Sequence, residues 1–300
     1  IRKIGLEEYK GKVYNLEVEK DNSYVAEFCC IHNCWTPWFS LFGSNSGFNS
    51  VEDCYKDQAK YIHALETGLS SDPAMNWRLS QLDKYALVSF SDSHSFWPWR
   101  MGRELTVFDI ELNYKSIINA LRTKQGLTET IEVDPSYGKY HFDGHRACDV
   151  CLEPKESNKL NKICPKCGKP LTIGVLNRIE ELADRKEGFK PEGAKPFKSL
   201  IPLSEVIAEV LGIKSPSSKK VFGVFNKLID SFNSELNVLL DVPFEKLKSV
   251  VDENIAKAII QLREGNIYVK PGYDGVYGRA KFNLNGETSS IKQSSLDNFS

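Results

Sequence analysis

Apolar and polar positions alternate at the start of the chain. Gly11-Lys-Val-Tyr-Asn-Leu-Glu-Val-Glu and Tyr24-Val-Ala-Glu-Phe-Cys-Cys-Ile follow a period of two, which marks half-buried strands. After residue 34 the period lengthens. Ser50 with Asp53 three residues on marks a helix start, and Val51, Cys54, Tyr55, Ala59, Ile62 and Leu65 fall on one helical face. One helix is therefore predicted up to Leu65, ended by Gly68-Leu-Ser-Ser-Asp-Pro. A second helical pattern covers 77–84. Tyr85-Ala-Leu-Val-Ser-Phe then reads as a buried strand, and a helix follows at 115–124. Helix, strand and helix in succession imply a parallel sheet or barrel, an α/β class.

Residues 130–176 are richer in Gly, Cys, Asp and Lys and read as a compact insert. From Asn177 the pattern is mostly helical. Ser204 is the expected cap of a helix that Gly212 ends, and 213–219 is a Pro/Ser/Lys linker. Val221, Phe222, Phe225, Leu228, Ile229 and Phe232 recur at helical spacing. Pro243 opens a short helix, and Asp252 caps another carrying Ile255, Ala258, Ile259 and Leu262 before Gly265. The helices at 243–264 distantly resemble helix-hairpin-helix modules but lack the Gly signature between them. Residues 266–281 read as a hairpin turning at 272–276. The organisation expected is 1–33, 34–129, 130–176, 177–284 and a Ser/Asn-rich tail, 285–300.

A length of 300 residues allows two or three domains, and the net charge of −1 removes any global positive field. Nucleic-acid contact must then come from local patches; residues 155–198 hold 11 Lys/Arg against 6 Asp/Glu. No run of 18 apolar residues occurs and no secretory signal is visible, so a soluble intracellular protein is expected.

His32-Asn33-Cys34 carries a self-cleaving chemistry. The Asn33 amide can attack its own carbonyl carbon and break the Asn33–Cys34 bond; His32 can protonate the leaving amine, and the Cys34 thiol can accept an acyl chain. With Val13-Tyr-Asn-Leu-Glu-Val and Asp21-Asn-Ser-Tyr-Val-Ala before it, residues 1–33 resemble the C-terminal segment of an intein. The resemblance implies that Cys34 is the first residue of the host. No N-terminal nucleophile and no Thr-x-x-His element is present. The segment is thus expected to be half of a split intein, or the end of one in a longer gene, and unable to splice alone.

Asp92 and His94 fall on a loop after a predicted strand, the end of a barrel where active sites sit. A carboxylate and an imidazole two residues apart can both reach one divalent ion. Trp97-Pro-Trp-Arg-Met-Gly-Arg-Glu adds aromatics and two guanidinium groups. The chain also carries Trp35-Thr-Pro-Trp-Phe-Ser, Glu66-Thr-Gly-Leu-Ser-Ser-Asp-Pro, Asn76-Trp-Arg-Leu-Ser, Ser91-Asp-Ser-His-Ser, Lys139-Tyr-His-Phe-Asp-Gly-His-Arg, Glu180-Glu-Leu-Ala-Asp-Arg and Lys270-Pro-Gly-Tyr-Asp-Gly-Val-Tyr-Gly. On these motifs residues 34–280 resemble endonuclease Q, a DNA-repair nuclease family built on the polymerase-and-histidinol-phosphatase (PHP) barrel. The resemblance implies the C-terminal part of that barrel. It also implies metal-dependent cleavage on the 5′ side of deaminated bases or abasic sites, with Zn, Mn or Mg held in part by Asp92 and His94. It places the family's other ligands before Cys34, so the chain is expected to be inactive alone. Trp35, Trp38, Trp97 and Trp99 are candidates to hold an unstacked base, and Arg78, Arg100 and Arg103 to contact phosphates.

Cys148-x-x-Cys151 and Cys164-x-x-Cys167, with 12 residues between, have the spacing of a four-thiolate structural zinc site. Four thiolates would leave no vacancy for His141 or His145. The tail residues Gln293, Leu296 and Phe299 resemble the short motif that docks on the sliding clamp PCNA, which suggests an archaeal setting. Two other functions compete: a zinc-containing DNA- and clamp-binding protein without catalysis, and a PHP-type metallophosphatase.

Overall fold

The computed structural model describes residues 34–45, 47–93, 97 and 100–284, and the backbone of 29–31. Three short parallel strands, β1 (Cys29–Ile31), β2 (Ile62–Glu66) and β3 (Ala86–Val88), form one sheet with β2 in the centre. A second sheet pairs β4 (Leu105–Phe108) antiparallel and β8 (Phe197–Leu200) parallel with β5 (Leu127–Val133). Among the described residues these remain separate sheets and do not close into a ring.

Helix α1 (Val51–Tyr55) starts as expected, the Ser50 hydroxyl accepting from the Asp53 N–H at 3.0 Å. It does not reach Leu65. Lys56 takes φ 50° and a 3₁₀ stretch, Lys56–Tyr61, leads into β2. Ile62 and Leu65 match a helical face, but they lie in a buried strand between two parallel neighbours. The helix expected at 77–84 is also displaced: α2 is Pro73–Asn76, capped by Asp72, and only a 3₁₀ turn, Ser80–Leu82, follows. Helix α3 (Tyr114–Thr123) is capped by Asn113 and packs on β2 and β3.

The insert is a hairpin of β6 (Asp143–His145) and β7 (Val150–Leu152), then α4 (Pro154–Lys159) and a knuckle around Cys164. Its own core is small: Val150, Cys164 and Leu171. Asp143, fully buried, ties it down by accepting from the Ser157 hydroxyl, the Asn177 amide and the Gly174 N–H. Helix α5 (Val175–Leu182) packs backwards. Its Val175 and Ile179 join Trp35, Leu41, Phe42, Leu65 and Leu79 in the first core, so the boundary drawn at 177 cuts an element that belongs with residues 34–129.

The remaining unit contains α6 (Leu203–Val210), α7 (Lys219–Phe232), α8 (Glu235–Leu240), α9 (Phe244–Lys248) and α10 (Glu253–Arg263). A hairpin of β9 (Tyr268–Lys270) and β10 (Arg279–Lys281) follows. Its core also takes Ile131 of β5 and Ala280 of β10. No described helix is long and apolar enough to cross a membrane.

Candidate active site and metal centre

The ends of β2 and β3 open on a cavity of about 420 Å³. Glu66 closes β2 and is 3% exposed; Asp92 follows β3; both line the cavity with Arg100, Arg103 and His141. Asp92 has φ 41°, a left-handed conformation that Asp tolerates better than most residues. Arg103 holds this loop, its Nε donating to the Ser91 carbonyl at 2.9 Å and Nη2 to the Asp92 carbonyl at 3.4 Å. Burial and the adjacent Arg100 hold the Arg103 guanidinium below the usual arginine range. Two crowded cations at a cavity wall favour an anion between them. The His141 Nδ1 is sealed from solvent and has no hydrogen-bond partner among the described residues. Burial depresses its imidazole to about 4, so it is neutral at pH 7 and can accept or ligate.

Behind the cavity the sheets meet through carboxylates. Glu132 of β5, fully buried, accepts from the hydroxyls of Thr130 and of Thr67, the residue after Glu66. Glu104 accepts from the Val133 N–H at 3.1 Å and leaves Oε2 unpartnered among the described residues. Burial, then Glu132 and Glu66, push Glu104 well above the carboxylate range. Burial pushes Glu132 up to about 7 against its hydrogen bonds. Folded Glu132 therefore keeps a proton that an unfolded glutamate loses near 4.5. The folded state binds more protons between those values, so stability falls as pH rises through that window. Glu132→Gln is expected to remove up to about 3 kcal/mol of that loss. Thermal melts from about pH 5 to about pH 8 should show a shallower decline than the parent chain; equal slopes contradict it.

The metal cluster differs from the spacing-based expectation. The ligand atoms of His145, Cys148, Cys164 and Cys167 lie within 4.8 Å of one another, and Cys151 is not among them. Strand alternation is the reason. In the β6–β7 register His145 lies opposite Val150, and Cys151 lies opposite Gly144, on the other face of the hairpin. His145 takes the fourth place, its Nδ1 3.3 Å from the Cys167 Sγ. His145-x-x-Cys148 and Cys164-x-x-Cys167 thus provide the two knuckles. A tetrahedron with ~2.3 Å Zn–S arms has ligand atoms about 3.8 Å apart, so the four donors fit one ion. The cluster is the only group of three or more such donors at this spacing among the described residues; the cavity's Glu66, Asp92 and His141 do not close a site by themselves.

Several candidates are placed elsewhere. Trp35 is 1% exposed, donates from Nε1 to Asn76 Oδ1 at 2.8 Å and packs on Phe42, so it belongs to the core at the cavity wall. Arg78 is buried in a two-pronged pair with Glu180 at 2.7 and 3.0 Å, which removes it as a phosphate contact. Trp38 is exposed beside Tyr140. Trp97 is exposed and leans on Phe222 of α7. Cys34 is buried and lines the cavity. His32, Asn33, His94, Trp99, Gln293, Leu296 and Phe299 lie outside the described residues. Glu66 had no role in the sequence reading. Its signal is a carboxylate ending a buried apolar strand, hidden while 62–65 reads as helix.

Residues 202–266 match the family described as the MJ0043 C-terminal domain. The chain is 37% identical over 288 residues to the uncharacterized protein MJ0043 of Methanocaldococcus jannaschii, covering 94% of this chain and 35% of that protein. It is 31% identical over 253 residues to the uncharacterized protein YqxK of Bacillus subtilis, covering 82% and 59%. Among solved structures it is similar to the lesion-specific endonuclease PfuEndoQ from Pyrococcus furiosus. The TM-score is 0.76 at 34% identity, over 89% of this chain and 64% of that one. An endonuclease Q complex with a 27-mer duplex bearing an abasic lesion at the active site gives 0.75 at 33% identity, over 90% and 66%. The chain therefore spans about a third of MJ0043 and under two thirds of YqxK.

Proposed function

We propose that residues 34–284 are part of a lesion-specific DNA endonuclease of the endonuclease Q type. The cavity carries this reading. Glu66 and Asp92 line it together with Arg100, Arg103 and Lys139, in a chain 34% identical to a lesion-specific endonuclease over 89% of its length. Carboxylates and cations on one cavity wall suit a phosphodiester whose reacting phosphorus sits near a divalent cation. Asp92 and His94 would hold that ion, Zn, Mn or Mg. When bound it supplies Lewis-acid polarisation of the phosphate. This chain's own residues do the rest: Arg103 fixes the Asp92 loop, and Arg100 and Arg103 neutralise the phosphate. The neutral imidazole of His141 is a proton acceptor or a further ligand. The His145, Cys148, Cys164 and Cys167 cluster is closed by four protein donors, which suits a structural zinc and not a catalytic one.

Residues 1–33 are read as the C-terminal segment of an intein, released when Asn33 cyclises. The MJ0043 match leaves too few residues outside it to exclude the whole segment. Strand β1 then occupies an edge of the parallel sheet that the host's own strand would take after ligation to Cys34. Asn33→Ala should block release of 1–33 in the presence of the complementary intein fragment, read by intact mass; release from that variant would refute the reading. The tail docks on a sliding clamp through Gln293, Leu296 and Phe299. The nuclease reading is tested by incubating the spliced protein with uracil-containing duplex and a divalent metal. Nicking 5′ of the uracil is expected, and its absence from every lesion duplex refutes it.

A further inference from the structure

The loop between β9 and β10 is fixed along its length. The Gly272 N–H donates to the Ser136 carbonyl at 2.8 Å, and its own carbonyl accepts from the Phe142 N–H at 3.0 Å. The Gly275 and Gly278 N–H groups donate to the carbonyls of Lys139 at 2.9 Å and Tyr137 at 3.0 Å. A Cβ on Gly272 or Gly278 would meet backbone oxygen at 2.1 or 2.3 Å, so only glycine allows this approach. Asp274 anchors the tip, accepting from the Arg146 N–H at 2.6 Å and the Thr172 hydroxyl at 2.7 Å.

This rigid loop carries Tyr277 with 63% of its surface exposed, at the mouth of the cavity. The Lys139 Nζ lies 5.6 Å from the Tyr140 ring centroid and 5.8 Å from that of Tyr277. Trp38 meets the edge of Tyr140 at 5.6 Å and is 41% exposed. Three distant segments thus bring three rings and one ammonium to one rim. The backbone that carries Tyr277 is fixed by these hydrogen bonds before any ligand arrives, which lowers the entropic cost of stacking on it.

We propose that Trp38, Tyr140 and Tyr277 form a stacking platform for an unpaired nucleobase next to the cavity, with Lys139 reaching that nucleotide's phosphate. This rests on the nuclease reading for its place in a reaction, but its chemistry stands on the rim itself. Every base offers a π-face to a tyrosine, so the platform is indifferent to sequence. Its occupant is single-stranded or locally unpaired DNA.

The test is fluorescence anisotropy with a labelled single-stranded oligothymidylate and this chain. Tyr277→Ala is expected to weaken binding by about 5- to 100-fold, and Tyr277→Phe to stay within about 2-fold. Lys139→Gln should reduce the slope of log affinity against log salt by about 0.7. Tyr277 is exposed, so its replacement leaves the cores intact, and circular dichroism checks this. Binding by Tyr277→Ala equal to the parent, or an equal loss in Tyr277→Phe, overturns the platform. Lesion nicking with Tyr277-independent binding removes the platform and leaves the nuclease. Tyr277-dependent binding without nicking does the reverse.

Discussion

On the proposed nuclease reading, Asp92→Ala in the spliced protein is expected to lower the nicking rate by ~10³-fold or more, the cost of losing a charge-stabilising ligand at a metal-assisted reaction. Binding to a lesion duplex should stay within about 3-fold. The separation follows from where the groups lie. Asp92 lines the cavity as a single carboxylate on a left-handed loop, whereas the binding contacts are spread over Arg100, Lys139 and Tyr277, the last two exposed to solvent. Removing the carboxylate leaves in place the two hydrogen bonds from Arg103 to the carbonyls of Ser91 and Asp92, which hold the loop backbone. Single-turnover nicking and anisotropy on the same preparation make the comparison. Parallel loss of both would show Asp92 to be structural. Retained nicking would place the chemistry elsewhere, and retained binding without any parental nicking would favour a DNA-binding protein.

The second large effect concerns the metal cluster. His145→Ala is expected to abolish zinc binding by the cluster, and Cys151→Ser to keep it. Spacing alone predicts the opposite. Structural zinc contributes roughly 10–16 kcal/mol of apparent binding free energy in small zinc-dependent folds. The insert's own core, Val150, Cys164 and Leu171, is too small to substitute for it. Loss of the ion should therefore melt residues 143–172. Metal content by mass spectrometry and protease sensitivity of the insert report this directly. Zinc retained in His145→Ala and lost in Cys151→Ser would restore the four-cysteine assignment.

The ligand set of the cluster depends on pairing that the sequence alone does not display. Both Cys-x-x-Cys pairs were visible, but which thiols point at one centre depends on the β6–β7 register. A hairpin alternates its faces, and Cys151 falls on the wrong one. Local signals worked where the partner was local: Ser50 and Asp252 cap their helices, and Gly212 and Gly265 end theirs with φ near 65° and 70°. They failed where the partner was distant. Ser204 has the chemistry of a cap, yet it is fully buried inside α6. The Leu203 N–H is satisfied by Glu235 of α8, 2.7 Å away and 32 residues on. Ile62 and Leu65 fit both periods, and only their parallel neighbours make them a strand. At the cavity, Asp92 was legible from its motif. Glu66, His141 and Tyr277 were not assigned to it, because their places on its lining depend on packing between segments far apart in sequence.

The most direct test is a comparison of substrates on the spliced protein with its divalent metal. The substrates are a uracil duplex, an abasic duplex, the undamaged duplex and a phosphomonoester. A single nick on the 5′ side of the lesion is expected, with little on undamaged DNA and no release of phosphate from the monoester. Phosphate release without lesion-directed nicking would contradict the nuclease reading and make the cavity that of a phosphatase.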